Sequence, residues 1–185
     1  MKKTTQPDQS ADKDLSPHSH SLLEAFFIHS LEEMYYAENA VAIEFLCIQE
    51  KIVSPTLREI LKTHYNIHLK HKERIQKIFN LRNEAIEVKK CGTFNALLAE
   101  GIEHLSFFKD DIVNWEIGLI LLSQKLTYYK IASYGGLAHL AINLKYYRAA
   151  TLLAFSVQEE EEYISNNLNR IIDAFLSSHV AGYKS

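Results

Sequence analysis

An all-α fold, arranged as a four-helix bundle in one domain, is what this sequence of 185 residues predicts. Three observations carry the expectation. Apolar residues recur at three- and four-residue steps over four long segments, which is the spacing of one helix face. Breakers are scarce: there are 6 glycines and 3 prolines, and Pro7, Pro17 and Pro55 all precede or open a periodic segment. A long connection, from Arg82 to about Asn114, divides the first two segments from the last two.

In chain order, residues 1–20 are polar and are expected to form a disordered tail. Ser21 and Glu24 make a capping-box pattern ahead of Phe27, Leu31, Met34, Val41 and Phe45, so a first helix runs to about Gln49. Ser54-Pro55 is the next start signal, with Ser as N-cap and Pro at the first helical position. Leu57, Leu61, Ile67, Ile75 and Ile78 carry that second helix to about Arg82. The connection holds Cys91-Gly92-Thr93 and a short amphipathic helix over Phe94–Phe107. A third long helix is expected from about Asn114 to Leu140, and a fourth from Asn143 or Leu144 to Leu176. The bundle thus occupies 21–176, and 177–185 reads as a short polar tail. Two long helices, a long crossover with a short extra helix, then two more long helices is the connectivity of the ferritin-like bundle, whose second and third helices run parallel. A plain up-and-down bundle would need a short loop at that place.

Composition excludes several function classes. The net charge is −3 and no basic block follows Lys2–Lys3, so nucleic acid is not an expected partner. No apolar run reaches the length of a membrane span and no signal peptide opens the chain, which points to a cytoplasmic protein. Cys47 and Cys91 have neither disulfide-framework nor zinc-knuckle spacing and read as small apolar residues. No Gly-rich elbow or base partner accompanies the serines, so a hydrolase is not supported. The adjacent pairs Tyr35–Tyr36, Tyr128–Tyr129 and Tyr146–Tyr147 differ by about 100° around a helix. One of each pair is expected in the core and the other at a rim or interface, a hint of a homodimer.

The residues that bear chemistry are those that interrupt an apolar stripe. Glu38 lies on the face of Leu31, Met34, Val41 and Phe45, and Glu160 on the face of Leu153, Val157, Ile164 and Ile171. A carboxylate there must be paired, protonated or bound to a cation. The alternative is the stripe's edge, and for Glu160 the acidic run Glu159–Glu162 suggests a solvated face. His64, His68 and His71, at i, i+4 and i+7, can chelate a metal, but the charged neighbours Lys62, Lys70, Lys72 and Glu73 favour a half-exposed flank. The third helix carries no carboxylate between Ile117 and Leu140. Lys130 instead lies in line with Leu119, Leu126 and Leu137.

With these residues in view the chain resembles the YciE/YciF family of bacterial ferritin-like stress proteins. The likeness runs from Leu22 to Ile172 and rests on Tyr35-Tyr36-Ala37-Glu38, Lys90-Cys91, Leu97 to Glu100, Gln124-Lys125, Ile131-Ala132-Ser133-Tyr134-Gly135, Ala149 to Leu153 and Glu159-Glu160. It implies a bundle similar to ferritins and rubrerythrins, a tendency to dimerise and a role in stress. The departures bear on the metal. Where the family has His-Leu-Glu-Glu-Thr this chain reads His64-Tyr65-Asn66-Ile67-His68, and Glu-His-Tyr-Glu becomes Thr127-Tyr128-Tyr129-Lys130. Glu-Thr-Leu-Glu becomes Phe155-Ser156-Val157-Gln158. A di-iron centre wants about four carboxylates and two histidines. The expected function is therefore a non-catalytic, stress-associated protein whose degenerate site pairs Lys130 with Glu38 and Glu160, with no cofactor. The alternative is a metal-binding protein that holds a single iron or zinc ion on Glu38, Glu160 and one or two of His64, His68 and His71, for iron or peroxide chemistry.

Overall fold

The computed structural model describes the backbone of residues 22–182 and the side chains of 22–177. Helix α1 spans Leu22–Ile48, and a 3-10 turn at Gln49–Lys51 leads to α2, Pro55–Leu81. The crossover carries α3, Gly92–Phe107, followed by α4, Ile112–Asn143. The last helix is α5, Tyr147–Tyr163, which passes through a π-helical turn at Ile164–Leu168 into α6, Asn169–Gly182.

Local chemistry explains most boundaries. The Ser54 hydroxyl accepts from the Leu57 N–H and Pro55 opens α2, as the sequence indicates. Asp111 caps α4 through the Asn114 N–H, so this helix starts earlier than the expected Asn114. Helices α2 and α4 both end by turning into left-handed backbone, at Asn83 and Lys145. There the N–H groups of Glu84 and Tyr146 return to the carbonyls of Phe79 and Ala141. Ser21 lies outside the described residues. Glu24 is turned inward, where Arg82 and Tyr146 meet it.

Three corrections concern the fourth helix, which first of all starts at Tyr147, because Asn143 still belongs to α4 and Leu144 caps it. It continues to Gly182, past the expected end at Leu176. It is also not uniformly α: the Asn169 N–H reaches back five residues to the Ile164 carbonyl. Upstream of that turn the inward residues are Ala149, Leu153, Ser156, Glu160 and Tyr163, and from the turn onward they are Ile164, Leu168 and Ile171. The extra residue lets both halves face the core.

The core divides into two apolar clusters. One joins Phe45, Leu57, Leu61, Leu119, Leu126 and Leu168, and the other joins Phe27, Leu31, Ile78, Leu137, Ala141 and Leu153. Residue numbers rise together in α2 and α4 from the first cluster to the second, and fall in α1 and α5–α6. Helices α2 and α4 are therefore parallel, which is what the long crossover is for. Helix α1 packs on α2 and α4, α5 packs on α4 and α2, and α3 covers α4. Of the tyrosine pairs only Tyr146–Tyr147 splits into buried and exposed. Tyr35 and Tyr36 are both half-buried, and Tyr129 is half-buried beside exposed Tyr128. No helix among the described residues is long and apolar enough to cross a membrane.

Candidate metal centre

Between the two apolar clusters the inward stripes of all four long helices turn polar. Helix α2 shows how. Its buried face steps by four and three through Leu57, Leu61, His64, His68, His71, Ile75 and Ile78, the alternation that keeps one side of a helix turned to its neighbours. All three histidines are buried. The half-exposed flank expected for them is thus corrected: Lys62, Lys70, Lys72 and Glu73 occupy other faces. Helix α1 brings Glu38 to the same level, α4 brings Thr127, Lys130 and Tyr134, and α5 brings Ser156 and Glu160, every one buried. In the acidic run, only Glu160 is buried; Glu161 and Glu162 are exposed.

These side chains form one bonded cluster. Glu38 Oε2 lies 2.7 Å from His68 Nδ1 and 3.2 Å from Lys130 Nζ. Its other oxygen accepts from the Tyr134 hydroxyl at 2.5 Å and lies 3.2 Å from His71 Nδ1. Glu160 Oε2 is 2.8 Å from His64 Nε2, and Oε1 meets the Lys130 ammonium and sits 3.3 Å from His71 Nδ1. Lys130 Nζ also comes within 2.7 Å of His68 Nδ1. At the outer edge Glu159 receives both guanidinium nitrogens of Arg74, at 2.6 and 2.8 Å, and faces His71 Nε2 at 3.1 Å. The Tyr163 ring stacks on His64 with centroids 3.9 Å apart.

Electrostatics divides the histidines into two kinds. Burial, with Lys130 nearby, pushes His68 down to about 3, so it is neutral at any ordinary pH. Burial also lowers His64, against the pull of Glu160. At His71 burial acts in the same direction but is outweighed by the hydrogen bonds to Glu159 and Glu38, and its value rises. Both ring nitrogens of His71 face carboxylates, the geometry of an imidazolium that donates twice. Burial would raise Glu38 and Glu160, yet Lys130 and the histidines hold both well below the usual carboxylate range. The Arg74 and His71 contacts bring Glu159 down to about 2. Burial beside Glu38 carries the Tyr134 phenol well above its ordinary value.

Among the described residues, two sets of three groups have ligand atoms within 4.8 Å of one another: His64, His68 and Glu160, and Glu38, His71 and Glu160. The first is the better donor set, two neutral imidazoles and a carboxylate. Its decisive atom is His68 Nε2, which is buried and makes no hydrogen bond. Nδ1 lies 2.7 Å from both Glu38 Oε2 and Lys130 Nζ. In the tautomer whose Nδ1–H is directed at Glu38, rather than the one whose Nδ1 accepts from Lys130, Nε2 keeps its lone pair, the arrangement in which a carboxylate orients a metal-binding imidazole. The second set relies on His71, whose nitrogens are both engaged. A di-iron centre does not fit. Helix α4 contributes an ammonium where carboxylates would be needed, and Glu159 is held by Arg74. Sequence reasoning missed Arg74, Tyr134 and Tyr163; Tyr134 stood in the Ile131–Gly135 segment but only as a marker of likeness.

Comparison with known proteins gives the family and the fold. A family model described as "Domain of unknown function (DUF892)" matches residues 22–181. The chain belongs to this family. Protein YciF of Escherichia coli strain K12 is 31% identical over 160 residues, spanning 80% of this chain and 93% of that protein. The solved structure of the E. coli stress protein YciF superposes with a TM-score of 0.77 at 27% identity, covering 86% of this chain and 99% of that one. YcfI from Rhodopseudomonas palustris gives 0.75 at 22% identity, over 85% and 96% of the two chains, and bears on the fold alone. The fold of this DUF892 member is thus all-α and ferritin-like with a long crossover, and its bundle centre holds clustered His, Glu and Lys residues.

Proposed function

We propose that this chain is a metal-binding member of the YciF-like proteins, holding one transition-metal ion on His64, His68 and Glu160. The observation that carries the reading is the free, buried Nε2 of a histidine kept neutral by its surroundings, beside a second neutral histidine and a carboxylate. Two imidazoles and one carboxylate suit iron(II) or zinc. An ion so held, with open positions, supplies a Lewis acid or redox centre for a small oxygen species.

The protein's own residues do the rest. Glu38 fixes the His68 ring through Nδ1, and Tyr134 in turn fixes Glu38 by its hydroxyl. Tyr163 holds the His64 ring flat. Lys130 is the competitor: its ammonium occupies Glu160 Oε1, so an incoming ion must take that carboxylate from it. Around the centre the carboxylates Glu38, Glu159 and Glu160 are matched by Lys130, His71 and Arg74. Uptake of a divalent cation therefore expels positive charge, and protons are released with it. The kinship with the E. coli stress protein suggests a stress setting for this chemistry.

Titration of chelator-stripped protein with cobalt(II), zinc(II) and anaerobic iron(II) tests the reading. One ion per chain is expected, with proton release. His68→Ala should abolish binding, while His71→Ala, which removes a competing cation, should leave it. A chain that takes up no ion would leave the Lys130-centred ion pairs as the whole content of the site, and two ions per chain would restore a di-iron centre. Either result overturns the assignment.

A further inference from the structure

A cavity of about 60 Å³ lies against the proposed centre and is not used by anything described above. Its floor is His64, His68, Leu126 and Ser123, all buried, and its outer edge is Val41, Glu44, Tyr65 and Leu98, all half-buried. It therefore runs inward from a partly exposed mouth, where α1, α2, α3 and α4 meet, to the two neutral imidazoles. Apart from the two histidines, Ser123 and Glu44 at the mouth, its wall is aliphatic and aromatic. The Ser123 hydroxyl is already satisfied by the Leu119 carbonyl at 2.9 Å and offers little to a polar guest. Apolar cavities of this sort stay dry and take up small apolar guests such as xenon, whereas water requires two to four polar partners. An ion or a strongly hydrogen-bonding solute would lose its hydration along the aliphatic part of this wall, with polar atoms to meet at Glu44 in the mouth and at the histidines on the floor.

We propose that this cavity is the entry and holding site for one small apolar molecule of dioxygen's size, delivered to the His64–His68 side of the centre. The inference rests on the metal-binding reading for its use, but the cavity itself does not need the metal. Its width is set by Gly101 on α3. A Cβ there would stand 2.3 Å from Leu122 Cδ1, and Leu122 is itself part of the cavity wall. Glycine at 101 thus lets Leu122 lie back against α3. A side chain there would force Leu122 to move, with the cavity as the nearest space.

Xenon is the probe, since it matches the guest in size and polarity and has no redox chemistry. Metal-free protein would be examined under xenon pressure by anomalous diffraction and by ¹²⁹Xe chemical shift, alongside Val41→Phe at the mouth and Gly101→Ala behind Leu122. One xenon per chain is expected against Leu126 and the histidines, with at least a tenfold loss of affinity in Val41→Phe. Cobalt(II) affinity, measured on the same samples, should stay within twofold of the parent. No xenon in the parent chain, or xenon unaffected by Val41→Phe, overturns the proposal whether or not metal binds. Xenon bound with no metal uptake would retain the cavity and remove the metal reading instead. Because the parent chain alone decides the first point, a misfolded variant does not rescue the idea.

Discussion

Lys130 has no exposure to solvent, and its ammonium touches Glu38, Glu160 and His68 at once. Replacing it by methionine keeps the length and removes the charge. Two buried carboxylates would then lose their shared cation, and breaking such a pair from one side costs roughly 3–5 kcal/mol. The chelator-stripped Lys130→Met protein should be less stable than the parent by about that amount in urea. The same change frees Glu160 Oε1, so zinc should bind more tightly and restore most of the lost stability. A variant that binds zinc no better than the parent would show that Lys130 does not compete with the ion. This arrangement of Glu38, Lys130 and Glu160 was legible in the sequence, because each interrupts a clear apolar stripe. The spacing of the histidines was legible as a chelating pattern but their burial was not, although the four-three alternation from Leu57 to Ile78 runs through all three without a break. The charged residues at 62, 70, 72 and 73 masked it, since a helix can carry a charged face and a buried imidazole face on opposite sides.

At the scale of elements, Arg82 ties three helix ends together. It follows α2, donates to Glu24 in the first turn of α1 at 2.7 Å, and lies 4.8 Å over the ring of Tyr146, which precedes α5. The Tyr146 hydroxyl bonds to the same Glu24 carboxylate. Glu84, from the start of the crossover, holds the guanidinium from the other side at 2.9 Å. Arg82→Ala should therefore cost about 3 kcal/mol of global stability, since a buried ion pair with Glu24 is broken from one side. The expected signature is faster hydrogen exchange at both the start of α1 and the turn near Tyr146, not only at the end of α2. Exchange confined to α2 would mean that the three ends are held independently. The boundaries of α2 were readable because Ser54-Pro55 is a strong local signal. The π-helical turn was not, because nothing in Ile164–Leu168 marks one extra residue per turn. It follows from the whole fold, which requires Glu160 and Tyr163 before the turn, and Leu168 and Ile171 at its end and beyond, to face one core.

For the molecule as a whole, acid should act first through the centre. In the metal-free protein His68 is held neutral down to about 3, whereas in an unfolded chain it protonates near 6.5. A histidine whose folded value is depressed makes the unfolded chain the better proton acceptor, so stability is lost as pH falls below about 6.5. For this group alone the loss is about 1.4 kcal/mol per pH unit until its folded value is reached. His64, also lowered, adds to the loss. His71 works the other way: its value is raised, so its contribution is full below about 6.5 and disappears as pH climbs through the folded value. Glu159 adds a further acid-side loss between about 4.3 and 2, reduced by its partial exposure. Below about 6.5 the His71 contribution no longer changes while those of His68 and His64 are being lost, so the net expectation is a urea midpoint that falls from about pH 6.5 to pH 5. His68→Gln, compared in the same chelator-free buffers, should flatten that fall, because the group that refuses the proton has been removed. Zinc should displace the fall to lower pH, since protons and metal then compete for the same imidazoles. A midpoint that is level from about pH 6.5 to pH 5 would mean that His64 and His68 take up protons in the folded bundle, and neither could then be the neutral donor on which the metal assignment depends.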